Sequence, residues 1–187
     1  KYLISARDYK TGAIYLAYTQ EKSSMATALF VDYLLSSLQY YGIDPQSIVI
    51  QTDNGKEFTN PTDRKVTLFE KLVKEKYQAT HFLIPYRRPT WNSDVESFHN
   101  LIEEEFFLSE KPNSEIDLLA KTFAYQIWFN SFRNNRGRNN QNLEQIFQSE
   151  LNTKKPLPNI PPILVDKYIQ LIAKDNEVGY FLPLPPS

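Results

Sequence analysis

The chain has no cysteine. Disulfide staples and thiolate zinc sites are therefore excluded, and a reducing compartment, the cytoplasm, is the expectation. No uninterrupted apolar run reaches the roughly 18 residues that a spanning helix needs. No secretory signal opens the sequence, so no membrane partner is expected. Glycine is scarce, at 5 residues, and histidine scarcer, at 2. Net charge is nearly absent too, at −1. Nucleic-acid binders are usually basic overall, so any such contact here has to rest on local patches or on further parts of a longer protein. What is present is ordinary for a folded domain: 187 residues, 41% hydrophobic and 23% charged. That length buries a full core in one domain.

The hydrophobic pattern sorts into strands and helices. Tyr2 to Ala6 alternates, Asp8-Tyr9-Lys10-Thr11-Gly12 supplies turn chemistry, and Ala13 to Tyr18 resumes a β-rich run. A helix follows over 23–42, capped by Ser23 or Ser24 and stopped near Gly42, with Leu29, Tyr33, Leu34 and Leu35 at helical spacing. "IVI" at 48–50 reads as a buried strand. Helices are expected over 63–78, 93–107 and 114–135, a short strand over 79–85, and a loop over 86–92. Beyond residue 155 lie seven of the twelve prolines. They mark an extended arm with one short helix around Val165 to Ala173. The order of elements predicts an α/β mixed sheet flanked by helices, with a core over 1–150 and a proline-rich C-terminal extension over 151–187.

Two carboxylates sit where chemistry can use them. Asp53 ends the strand of "IVIQTDNG", the edge at which open α/β sheets place ligands. Asp-Asn-Gly is equally good chemistry for a plain turn, and taken alone that reading is the stronger. Glu96 falls in the first turn of the helix opened by "NSDVESFHN". Ser93-x-x-Glu96 also spells a capping box, which would make Glu96 a structural cap.

Taken together, "TDNGKEF" after an apolar strand and Asn92-Ser93-Asp94-Val95-Glu96-Ser97-Phe98-His99 opening a helix resemble the retroviral-integrase-type catalytic core of DDE transposases. The likeness is nearest to bacterial insertion-sequence transposases. "KYLISARDYKTG" is similar to that family's second strand and turn, and "FNSFRNNRGRNNQNLEQIF" to the segment after its last core helix. The resemblance covers roughly residues 1 to 150. The interval between Asp53 and Glu96 is somewhat longer than the family's, a surplus that fits an insertion around "NPTDRKVTLF". Ser93 stands where the family usually has glycine.

The resemblance implies a ribonuclease H-like fold and a triad of acids holding two divalent metals, Mg²⁺ or Mn²⁺, for DNA cleavage and strand transfer at transposon ends. Asp53 and Glu96 would be two of the three acids, both catalytic and metal-binding. Such hard cations prefer carboxylate oxygens, and Mg²⁺ needs few from the protein because it keeps waters and takes phosphate oxygens. The family's first strand, with its first acid, aligns upstream of Lys1, so the expectation is a sheet lacking that strand. Asp8 is the nearest alternative third acid, but it matches a turn aspartate. DNA, as transposon ends and target, and further copies of the chain in a homo-oligomer are the implied partners.

Arg87 and Arg88 before the Glu96 helix, Asn92 and His99 around it, and Arg133, Arg136 and Arg138 after the last long helix are candidate DNA contacts, since guanidinium groups suit phosphate oxygens. Each has a plainer reading as a solvated or packing residue. His81 reads as structural, Trp91 as a loop anchor or a base-stacking ring, and Glu103, Glu104 and Glu105 as a solvated acidic face. Two alternative functions stay open: a ribonuclease H-like nuclease that cuts without joining strands, and a non-catalytic module that binds DNA or protein.

Overall fold

Alternating residues open the chain as a β-hairpin, β1 (Tyr2–Arg7) and β2 (Ile14–Thr19). The turn closes on Asp8, whose N–H donates to Ala13 O at 2.8 Å and whose carbonyl accepts from Gly12 N–H at 2.7 Å. Gly12 has φ 84°, a left-handed value that glycine adopts without Cβ strain. The computed structural model describes residues 1–59, 65–85, 91, 93–135, 139–168 and 170. It is α/β, with two small sheets. One has the order β1-β2-β5, with β5 (Ile163–Leu164) parallel to β2 through Ala17↔Ile163 and Tyr18↔Leu164. The other pairs β3 (Val49–Thr52) with β4 (Thr80–Leu83) in parallel, from Val49↔Thr80 to Thr52↔Leu83.

The chain divides into two compact units, Lys1–Ile4, Ala17–Asn92 and Ile163–Ser187 forming the first, Ser5–Leu16 and Ser93–Pro162 the second. In the first unit α1 (Ser24–Tyr40) starts where Ser23 accepts the Ala26 N–H. Its Ala28, Val31 and Leu35 pack with Phe69, Val73 and Tyr77, and Ile48, Ile50 and Phe58 close the cluster. The second helix, α2 (Leu68–Lys71), continues as a π-helical turn over Leu72–Lys76. It begins later than the expected residue 63 because Thr67 and Glu70 form a reciprocal capping box, satisfying two orphan helix N–H groups at that point. Strand alternation gives the β3–β4 pair one covered face, with Ile50 in the cluster and His81 edge-on to Phe69. Val49, Gln51 and Phe82 stay exposed on the other, so the "IVI" strand, expected to be buried, is covered on one face only.

The second unit is built on α3 (Ser93–Ile102) and α4 (Glu115–Ile127), each ending in a π-helical turn, Glu103–Phe107 and Trp128–Phe132, and on α5 (Leu143–Glu150). Phe98, Phe106, Tyr125 and Phe129 form its aromatic core, linked by ring contacts of 5.2–5.8 Å. Phe98 is fully buried, a burial that contributes about 2–3 kcal/mol.

From Leu157 on, the described part of the proline-rich extension is packed, while 151–156 is mostly exposed. Leu157 and Ile160 are buried, and Ile160 O accepts from the Gln126 side chain at 2.7 Å. Asp166 accepts from Gln20 N–H at 2.8 Å and from Thr19 Oγ1 at 3.1 Å. Tyr168 meets Tyr33 edge-on at 5.5 Å. Of the short helix expected around Val165, the described residues show its first turn, directly after β5.

Candidate functional site

Asp53 directly follows β3, at its carboxyl end, and is exposed. Its Oδ1 accepts the Gly55 N–H at 2.9 Å, and Oδ2 accepts no hydrogen bond among the described residues. Two side chains fix the backbone on either side. The Thr52 hydroxyl donates to Asp53 O at 3.0 Å and lies 2.8 Å from His81 Nε2. The Asn54 amide donates to Ile84 O, just past β4, at 2.7 Å. The end of the parallel strand pair is thereby tied across, and one carboxylate oxygen faces outward. Gly55 does not have a left-handed φ. A Cβ there would stand 2.7 Å from the Glu57 carboxylate, the end of an exposed side chain that can turn away.

Glu96 lies in the first turn of α3 and is exposed. The helix begins at Ser93, so Ser93 is its first helical residue and not its cap. Neither Glu96 oxygen accepts a hydrogen bond among the described residues, in contrast to the complete capping boxes at Thr67–Glu70 and Asn142–Gln145. Asp94 beside it forms an ion pair with Arg7 of β1, Nε to Oδ2 2.7 Å, an attraction of charges without hydrogen-bond geometry at Nε. The Arg7 guanidinium also sits 5.6 Å from the centre of the Phe98 ring. His99 Nε2 lies 2.8 Å from Ser5 Oγ, again on β1. Burial holds the His99 imidazole below its ordinary pKa, and the Glu96 charge acts in the opposite direction.

Asp53 belongs to the first unit and Glu96 to the second. Exposed carboxylate oxygens on element ends have the donor chemistry of a Mg²⁺ or Mn²⁺ site, since these cations take oxygen and need few protein ligands. Among the described residues no group of three or more His, Asp or Glu could hold a metal ion. Asp8, the alternative third acid, is engaged in its turn: its Oδ2 accepts the Thr11 N–H at 2.9 Å and the Thr11 hydroxyl.

Of the candidate DNA contacts, Arg87, Arg88, Asn92, Arg136 and Arg138 lie outside the described residues. Arg133 is described, and it is engaged. Its NH2 meets Glu105 Oε1 at 2.6 Å, its Nε meets both oxygens at 3.2 Å, and its guanidinium lies over Phe129 at 5.2 Å. Glu105 also accepts from Tyr125 OH at 3.1 Å, so it is not part of a solvated acidic face; Glu103 and Glu104 are exposed. Burial and the Glu105 charge together push the Tyr125 phenol well above its usual range. Trp91 is anchored: it stacks on Phe82 at 5.9 Å and 18°, and its carbonyl accepts from Gln51 at 3.0 Å. His81 is structural in its bonding, between Thr52 and Phe69.

Sequence reading passed over Asn130 and Gln126, both completely buried on α4 and its continuation. Asn130 exchanges two hydrogen bonds with the Ile14 backbone, and Gln126 accepts the Leu16 N–H at 3.1 Å. The i, i+4, i+8 run of Thr122, Gln126 and Asn130, all fully buried, was the available signal. Membership of a larger group gives no further guide: the chain matches no family model, and no curated protein matches it.

Proposed function

We propose that the chain is the catalytic core of a DDE transposase, cutting and joining DNA at transposon ends with divalent metal. Asp53 and Glu96 are two of its metal-binding acids. The reading rests on the sequence pattern, and one observation supports it most. Both acids of that pattern stand exposed at the ends of regular elements, each with carboxylate oxygen unclaimed among the described residues. A cap role for Glu96 would consume one of its oxygens, whereas the turn at Asp53 uses Oδ1 and leaves Oδ2 for a cation. A ribonuclease H-like arrangement belongs to the same proposal, and the α/β make-up, with parallel strand pairs among the described residues, is in keeping with it.

When bound, the metal supplies activation of a water or 3′-hydroxyl and charge stabilisation on the leaving oxygen. The protein's part is to present oxygen donors with little freedom. Asn54 and Thr52 hold the backbone around Asp53, and helix geometry fixes Glu96. Arg87, Arg88, Asn92, Arg136 and Arg138 are proposed to track the DNA backbone, where guanidinium and amide groups bond phosphate oxygens. Arg133 joins them only by exchanging Glu105 for phosphate. Copies of the chain would assemble on paired DNA ends.

Crystals soaked in Mn²⁺ test the reading directly. Anomalous density on the carboxylates of Asp53 and Glu96, lost in Asp53→Asn and Glu96→Gln, is the expected result. Density elsewhere, unchanged by both variants, refutes it. Labelled transposon ends given to the parent protein then separate strand transfer from hydrolysis alone.

A further inference from the structure

Three contacts join β1 to α3 within the second unit, and they bracket Glu96. Ser5 and Arg7 alternate along β1, so their side chains leave the same face of the strand. Arg7 takes Asp94 at 2.7 Å and lies against the buried Phe98 ring at 5.6 Å. Ser5 reaches His99 at 2.8 Å. At 3.6 residues per turn, Asp94 and Phe98 share one side of α3 and Glu96 falls nearly opposite, next to His99. The strand therefore holds the helix before and after Glu96 while leaving that carboxylate exposed.

We infer that Ser5 and Arg7 are positioning residues that fix the rotation of the first turns of α3, and so the direction in which Glu96 presents its carboxylate to metal. The inference rests on the proposed role of Glu96 and adds two residues with no contact to metal or DNA. The Arg7 side chain is 11% exposed and the Asp94 side chain 42%. The ion pair thus has its arginine end anchored in the unit and its aspartate end at the helix start. Phe98 is itself held by an edge-on contact with Phe129 at 5.6 Å. Ser5–His99 contributes a second point of attachment, and two points are what a rotation about the helix axis needs to be fixed.

Mn²⁺ titration followed by electron paramagnetic resonance tests this on the intact chain. The first comparison is wild type against Glu96→Gln; equal binding removes Glu96 from the metal site and overturns the functional reading and this inference together. With that binding established, Ser5→Ala and Arg7→Ala are expected to weaken Mn²⁺ by about 10-fold or more, the usual cost of removing an outer partner of a metal ligand. Arg7→Lys, which keeps a cation facing Asp94, recovers part of the loss. Amide exchange across α3 confirms in the same samples that the helix is still formed. Wild-type Mn²⁺ affinity in both alanine variants overturns the positioning role and leaves the Glu96 reading standing. Should Arg7→Ala fail to fold, Ser5→Ala, which removes one hydroxyl, decides the matter alone.

Discussion

Asn130 holds Ile14 by both of its backbone groups: Oδ1 accepts the Ile14 N–H and Nδ2 donates to the Ile14 carbonyl, each at 3.0 Å. The amide side chain stands in for a neighbouring strand, and it does so in a fully buried place where water cannot substitute. Asn130→Ala orphans both groups at once. With about 1–3 kcal/mol for each buried group left unpaired, the variant should lose roughly 2–6 kcal/mol in urea unfolding. A loss under about 0.5 kcal/mol would mean that β2 relaxes to another partner.

That pair also shows where sequence reading stops. The hairpin, α1, the β3 and β4 strands and the start of the Glu96 helix follow from local periodicity and turn residues, and they lie where those signals place them. The roles of Asn130 and Arg133 depend on what faces them across more than a hundred residues for Ile14, and across two helices for Glu105. No local pattern carries that information. Arg133 beside Arg136 and Arg138 reads as a basic patch until Glu105 is seen to hold it. The start of α5 was legible, since Asn142-x-x-Gln145 spells its capping box, but the arginine-rich segment before it drew the reading elsewhere. For the candidate site, the identity of Asp53 and Glu96 was readable, whereas the ties from Asn54 to Ile84 and from Ser5 to His99 were not.

Arg133 permits a sharp test of its two possible roles. Committed to Glu105 and to the Phe129 ring, it should matter to folding and not to DNA. Arg133→Met is expected to lower stability by about 1–3 kcal/mol, the usual cost when a charge-assisted contact is broken. The slope of log binding constant against log salt on DNA should stay unchanged, because that slope counts phosphates neutralised. A slope reduced by about one unit would instead show Arg133 on a phosphate in the complex.

The pH dependence has a definite sign. Burial lowers the His99 pKa against the raising effect of Glu96; burial also lowers His81, where Lys74 adds to the effect and Glu70 opposes it. In both residues the folded pKa lies below the unfolded one, so the unfolded chain takes up protons first. Their contribution is fully present above the ordinary histidine value of about 6.5, and it is lost as pH falls from there through the folded values. Urea midpoints should therefore fall on the acid side of neutrality, and His81→Gln with His99→Gln should flatten that fall. An equal fall in the double variant assigns it to carboxylates.

Glu70 acts further into acid. Burial raises its pKa, but the Thr67 N–H and the Lys74 ammonium at 3.2 Å outweigh that and hold it below the usual value. Its stabilisation is present above the unfolded carboxylate range and disappears as pH drops through the lowered value. Thr67→Ala removes the cap and should cost about 1 kcal/mol at neutral pH. Glu70→Gln should remove the acid-dependent part while keeping a group able to accept the Thr67 N–H. Identical acid unfolding of Glu70→Gln and wild type would place that dependence on other carboxylates.

Asp53 lets turn chemistry and metal chemistry be separated by two substitutions. Its Oδ1 serves the Gly55 N–H, and an asparagine carbonyl oxygen can accept that bond equally well. Asp53→Asn should thus unfold within about 0.5 kcal/mol of wild type, yet lose Mn²⁺, because an amide brings no negative charge to the cation. Asp53→Ala removes both and should lose Mn²⁺ and about 1 kcal/mol of stability. The stability difference between the two variants measures the turn; the shared loss of metal measures the site. An Asp53→Asn protein that binds Mn²⁺ as wild type does would leave Asp53 a turn residue, with the strand end serving structure alone.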